Sequence, residues 1–202
     1  MEIYIVRHGE TVWNKAGKLQ GSTDIELSDA GRELARITGE ALRDTRIDKI
    51  YSSPLKRAYE TACLIRGDRD IPVITDDRIK ELCFGNLEGQ VMSDMKEDPN
   101  SHFQNFFEAP HKYIPDEKGE SLQDLCKRTA KFMEEVVLTQ ANVCERIVIV
   151  GHGAMNKAIM CHVKKHGIDK LWSGGLQKNC NVIIVDFTDG EFTVIDEEKI
   201  YY

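Results

Sequence analysis

The 202-residue sequence predicts an α/β fold: a three-layer sandwich with a mostly parallel central sheet, helices on both faces and a small cap insertion. Short runs of apolar and β-branched residues alternate with longer segments of helical periodicity. Strands separated by helices need crossover connections, which bury both faces of a largely parallel sheet. One stretch, about 86–120, breaks this rhythm. It mixes a short helical pattern with Phe103, Phe106, Phe107, Tyr113 and the prolines Pro99, Pro110 and Pro115. It is read as an insertion capping one edge of the sheet within a single domain spanning 1–202.

"IYIV" (3–6) reads as a buried strand, "DKIYSS" (48–53) and "IPVITD" (71–76) as two more, and "RIVIVGH" (146–152) as the strongest later one. "NVIIVDF" and "EFTVIDE" flank Thr188-Asp189-Gly190. Asp-Gly is a hairpin signal, so the chain is expected to close on two antiparallel strands. Among the helices, "SDAGRELARITGEALRD" has Ser28 as N-cap and an apolar stripe of Leu34, Ile37, Ala41 and Leu42. "SPLKRAYETACLI" places Ser53 at the N-cap and Pro54 at the first helical position, where a missing N–H costs nothing. "SLQDLCKRTAKFMEEVVL" carries Leu122, Leu125, Thr129, Phe132, Met133, Val136 and Val137 at helical spacing, a core-packing stripe. "AMNKAIMCHVKKHG" ends on Gly167, expected as the residue just past the helix.

A net charge of −7 argues against a surface that tracks nucleic acid or an anionic membrane. No apolar run approaches a membrane span, and "IYIV" is too short and wrongly flanked for a secretory leader. Six scattered cysteines without a C-x-x-C pair suggest reduced thiols. A cytoplasmic protein is expected. His162 and His166, four apart on a helix, have the spacing of a metal pair. With Lys164 and Lys165 they read instead as a cationic last turn that complements the helix dipole, so no metal or cofactor is expected.

Ligands of open α/β sheets collect beyond the carboxyl ends of the strands. Arg7 and His8 follow the first strand, Glu81 the third and His152 the fourth, while Arg57 lies in the first turn after the second. Two arginines, two histidines and a carboxylate suit a phosphoryl group. Guanidiniums fork onto phosphate oxygens and stay charged. A neutral imidazole is nucleophilic near neutrality, and a second one donates to a non-bridging oxygen. A carboxylic acid can protonate the leaving alcohol and then activate water. Gly9 would let the backbone approach the phosphate.

"RHGET", "SSPLKRAYETA", "ELCFGNLEG" and "VGHG", in this order and spacing, closely resemble the histidine phosphatase superfamily in its phosphoglycerate-mutase-like branch. The resemblance implies an α/β sandwich that works without metal. It implies His8 as the nucleophile that forms a phosphohistidine, and Arg7, Arg57 and His152 as holders of the phosphoryl oxygens. It implies Glu81 as proton donor and Asn14 as a hydrogen-bond donor to phosphate. Gln20 and Gly21 would form a loop beside the substrate, with Gly153 of "VGHG" also on the substrate side. Ala154-Met155-Asn156 departs from the small or β-branched run usual after that motif and could reshape the pocket floor.

A mutase must bind a second anionic group. The window 83–120 carries only Lys96, Lys112 and Lys118 as cations and no arginine, so hydrolysis of a small-molecule phosphate monoester is expected over mutase activity. A non-catalytic phosphate-binding module is disfavoured, because all five chemical groups are present. The aromatic residues at 103–113 have two readings: packing beneath the cap, or walls for an apolar leaving group.

Overall fold

The computed structural model describes residues 1–97 and 103–202, the Lys96 side chain excepted; Pro99 therefore lies outside the described residues. Six strands form one sheet in the order β3-β2-β4-β1-β5-β6. They are β1 (Glu2–Arg7), β2 (Lys49–Ser52), β3 (Val73–Thr75), β4 (Arg146–Gly151), β5 (Val182–Thr188) and β6 (Glu191–Lys199). The first four are mutually parallel, and β5 and β6 add an antiparallel pair beyond β1. The expected hairpin closes this pair: Asp189 and Gly190 both take positive φ (53° and 82°), as a two-residue turn matched to strand twist requires.

Period-two alternation in the central strands divides the interior into two cores. Ile3 and Ile5 of β1, with Ile147 and Ile149 of β4, face one core, and Tyr4, Val6, Val148 and Val150 face the other. Helices cover each side: α1 (Val12–Lys15), α2 (Asp29–Ala41), α3 (Lys56–Arg66), α4 (Met92–Glu97), α5 (Gln104–Glu108), α6 (Leu122–Phe132) and α7 (Gly153–Lys164). Leu122, Leu125, Thr129 and Phe132 of α6 are buried, and the helix widens into a π turn that keeps Met133 and Val137 in the same core. The predicted stripe lies where its spacing put it.

Three helix details differ from the sequence expectation. In α2 the buried face is Gly31, Ala35, Thr38 and Gly39, while Ile37 and Ala41 are exposed. Side-chain size misled here, since a Cβ on Gly39 would lie 2.5 Å from the carbonyl of Leu64, so α2 and α3 pack backbone to backbone. Helix α3 starts at Lys56 with Leu55 at its N-cap; Ser53 and Pro54 form the preceding turn, where the Ser53 hydroxyl accepts from the Leu55 N–H. The chain leaves α7 at Lys165 (φ 53°) and not at Gly167, because the His166 N–H already closes onto the Cys161 carbonyl.

Register positions the site. Val6 pairs with Val150 and Arg7 with Gly151, so the next residues, His8 and His152, emerge side by side. Ser52 pairs with Val150 and leads into α3, and β3 leads to the segment carrying Glu81. No helix among the described residues is long and apolar enough to cross a membrane.

Candidate active site

His8 and His152 meet at the carboxyl ends of β1 and β4, with ring centroids 5.3 Å apart and planes inclined by 58°. Both are buried. The Nδ1 of His8 lies 2.7 Å from the Gly9 carbonyl. A carbonyl only accepts, so Nδ1 carries the proton and Nε2 keeps its lone pair. The Asn179 amide donates to the His8 carbonyl at 2.8 Å and anchors the residue from the far side. Burial, then Arg57, then Arg7 hold the His8 pKa well below its ordinary value. Burial and Arg57 do the same for His152. Both rings are therefore neutral imidazoles near neutrality.

Arg57 is fully buried in the first turn of α3. Its Nη2 donates to the Gly21 carbonyl at 2.6 Å and its Nη1 to the Thr23 carbonyl at 2.8 Å. Burial draws its pKa down to about 10, which still leaves it cationic at neutral pH. Arg7 donates through Nη1 to the Gln177 carbonyl at 2.5 Å, and burial likewise lowers its pKa. The Nε of each arginine and both ring nitrogens of His152 are buried without a hydrogen-bond partner. Buried donors left unpaired are costly. Arg7 and Arg57 line the cleft together with His8, while His152, packed beside His8, is not among the residues lining it.

Glu81 faces this group from across the cleft. Its Oε1 accepts from the backbone N–H groups of Leu82 (2.9 Å) and Met155 (3.0 Å), and its Oε2 from that of Ala154 (3.2 Å). The start of α7 thus aims the carboxylate. Among the described residues lining the cleft, Glu81 is the one carboxylate. Asp76 is held by Arg78, and Glu88 is engaged in a loop. A methyl group built on Gly153 would sit 3.6 Å from Glu81 Oε2 and 3.9 Å from Arg7 Nε, so the bare glycine keeps the space between them open.

The other proposed substrate residues line the same cleft. Asn14 and Gln20 are fixed by Thr11, whose backbone N–H donates to Asn14 Oδ1 at 3.1 Å and whose hydroxyl donates to Gln20 Oε1 at 2.9 Å. Gly21 takes φ +58°, and a Cβ there would strike Glu88. Gly9 does not line the cleft: its lack of a side chain lets the first loop pass within contact of the Gly31 backbone on α2. Of the residues after "GHG", Ala154 reaches the cleft, Met155 joins the core and Asn156 donates through its amide to Gln177 Oε1 at 2.7 Å.

The cap window divides. Phe106 and Phe107 line the cleft, whereas Phe103 and Tyr113 pack in the core beneath it. Lys112 and Lys118 are exposed and do not line it. The cleft's further cation is Lys18, which sequence reading passed over. Trp172 and Leu176 were also missed; they complete an apolar wall with Leu19, Phe84, Met92, Phe106 and Phe107. The Trp172 indole donates to the Phe106 carbonyl at 2.5 Å and ties this wall to the cap. These residues sit in a loop without periodicity, so no sequence signal marked them.

Two supporting residues were missed as well. Glu88 accepts from the N–H groups of Ser22 (2.9 Å), Thr23 (2.8 Å) and Phe84 (2.9 Å), which fixes the loop whose carbonyls hold Arg57. Its place inside "ELCFGNLEG" was the available signal. Arg128 donates to the carbonyls of Arg78, Lys80 and Glu81 and pairs with Glu120, holding the strand-like approach to Glu81.

His162 packs against Phe192, and His166 is half-buried with its Nδ1 3.1 Å from the Gly167 carbonyl. No group of three metal-ligating side chains occurs among the described residues. All six cysteines are free.

A sequence model of the Histidine phosphatase superfamily (branch 1) matches residues 3–198. This protein belongs to that superfamily. Phosphoserine phosphatase 1 of Hydrogenobacter thermophilus is 35% identical over 175 residues, which cover 87% of this chain and 82% of the relative. The structure of Bacillus stearothermophilus YhfR is 32% identical, with a TM-score of 0.90 over 99% of this chain and 98% of its own. A phosphoserine phosphatase mutant from Entamoeba histolytica, in complex with phosphoserine, is 28% identical, with a TM-score of 0.84 over 98% and 96% of the two chains. The chain is a histidine phosphatase, a phosphoric monoester hydrolase acting on small phosphate esters.

Proposed function

We propose that hydrolysis proceeds through a phosphohistidine on His8, with Arg7, Arg57 and His152 binding the phosphoryl oxygens and Glu81 moving the proton. The supporting observation is the convergence of unpartnered, buried donors around a histidine whose Nε2 is free of its proton. Nε2 attacks phosphorus, the P–N bond forms and the P–O bond to the alcohol breaks as protonated Glu81 gives its proton to the leaving oxygen. Water then attacks the phosphohistidine, Glu81 as carboxylate takes a proton from it, and the P–N bond breaks to return neutral His8 and free phosphate. Each preorganised donor aimed at the transferring group is typically worth about 3 kcal/mol of transition-state stabilisation.

The walls of the leaving-group side favour an apolar or aromatic alcohol, because Phe106, Phe107, Trp172 and Leu176 offer it little hydrogen bonding. A second reading, a carboxylate-bearing alcohol such as the phosphoserine of the relatives, is favoured by Lys18, a cation on the same rim. Six free thiols support a reducing compartment, the cytoplasm. The test is phosphate release from a metal-free panel of aryl phosphates, phosphoserine, sugar phosphates, ribazole phosphate and 3-phosphoglycerate, with His8→Ala as control. Release is expected to vanish in His8→Ala together with any acid-labile labelled phosphoprotein. A labelled phosphoprotein in that variant would overturn the nucleophile, and isomerisation of primed 3-phosphoglycerate without net release would overturn hydrolysis.

A further inference from the structure

Beside the loop that carries Leu176 and Gln177 lies a second cavity of about 360 Å³, separate from the catalytic cleft but sharing Leu176 with it. Lys157 of α7 reaches it with only 4% of its surface exposed. An ammonium has three donors. Among the described residues its Nζ makes one hydrogen bond, to the Ser173 carbonyl at 2.8 Å, and no ion pair. Burial lowers the Lys157 pKa, and Glu197 opposes that shift. A buried ammonium so lightly paired is expensive, and the phosphatase chemistry makes no use of it.

Two acceptors share the cavity. Asn181 is 3% exposed, and its Oδ1 is buried without a partner while its Nδ2 donates to the Lys199 carbonyl at 3.0 Å. Glu197 pairs through Oε1 with Lys164 at 2.5 Å. A methyl group built on Gly174 would lie 3.7 Å from Glu197 Oε2 and 3.8 Å from Lys157 Nζ. A carboxylate and an ammonium therefore border one spot without bonding each other. Ile183 and Ile200 supply an apolar side. Gly174 and Gly175, both at φ +76°, leave the entrance free of side chains.

We propose that this cavity binds a small zwitterion, a free α-amino acid, with its carboxylate on Lys157 and its ammonium on Glu197 and Asn181 Oδ1. The ligand's side chain would rest on Ile183 and Ile200. Its site adjoins the catalytic one, because Gln177 accepts from Arg7 through its carbonyl and donates to the Asn181 carbonyl at 2.7 Å through its side chain.

The test is an amide NMR titration of the whole protein with L-serine and L-leucine, with serinol (no carboxylate) and N-acetyl-L-serine (no ammonium) as controls. Saturable shifts are expected at Ser173–Lys178 and Glu197–Ile200, with each control binding at least tenfold more weakly. Lys157→Met, which keeps the buried chain length, is expected to weaken binding at least tenfold, and Ile200→Trp to block it by filling the mouth. Circular dichroism and retained phosphate release show that each variant folds. Absence of binding by both amino acids, equal binding of serinol, unchanged binding in folded Lys157→Met, or shifts centred on His8 and Arg7 would each overturn the proposal. None of these outcomes bears on the phosphatase reading, which stands or falls with His8.

Discussion

At one end of the cleft Arg57 has no exposed surface, and carbonyls of a single loop hold both of its terminal nitrogens; at the other, Trp172 is half-buried and Leu176 is 47% exposed. The phosphate end is built from strand ends, a helix start and backbone hydrogen bonds, so little in it can yield. The leaving-group end is built from side chains on the cap and on an irregular loop, joined by one indole hydrogen bond. On the function proposed above, the firmly held end takes the phosphate and the looser end the alcohol, so changes at the looser end are expected to alter specificity more than chemistry.

Substitutions at the two ends should accordingly affect different kinetic constants. Glu81→Gln removes the proposed proton donor, and kcat for alkyl esters is expected to fall by about 10²–10⁴. An aryl ester with a good leaving group should lose far less; equal losses for both would remove Glu81 from the acid role. Arg57→Met keeps the buried stem but deletes a proposed phosphate donor, for an expected drop of about 10²–10³ in kcat/KM across every ester tested. A substrate-dependent drop would mean that the two ends are not separable as described. Trp172→Ala should act on the other side, raising KM for aryl phosphates by roughly three- to tenfold, the range of one aromatic contact, with kcat and the KM for phosphoserine nearly unchanged.

The smallest effect is on stability. Burial holds His8 and His152 neutral in the fold, below their ordinary value of 6.5. Above that value both states bind the same protons and nothing is lost. As pH falls through it, the unfolded chain takes up protons that the folded one refuses, so stability declines by up to about 1.4 kcal/mol per pH unit for each histidine. Urea midpoints between pH 7 and 5 should fall more steeply for the native protein than for His152→Gln; parallel slopes would mean that His152 accepts a proton in the fold.

The division between the two ends is also the division between what was and was not legible in the sequence. Arg7, His8, Arg57, Glu81 and His152 follow strands whose parallel register can be inferred from β-branched runs; the fold brings the first four to one cleft and sets His152, fully buried, beside His8. Helix α6 was equally legible, because its stripe follows one period. Failures came where packing is made by small residues or by loops. Of the Leu34, Ile37, Ala41 and Leu42 stripe only Leu42 is fully buried, because α2 packs through Gly39, and Gly9 meets the Gly31 backbone of α2. Lys18, Trp172 and Leu176 occupy irregular backbone, where no periodicity announces which way a side chain points.

The strand order has a consequence for synthesis. The strand that leads into His8 sits between β4 and β5, and its first residue, Glu2, pairs with Arg146 and Asp186. On the ribosome, where chains emerge N-terminus first, "IYIV" leaves the exit tunnel early and has no native neighbour until most of the chain has followed. A nascent chain stalled before β4 therefore holds Arg7, His8, Arg57 and Glu81 but lacks His152, Gly153, Trp172 and Leu176, and its β1 has neither partner strand to pair with.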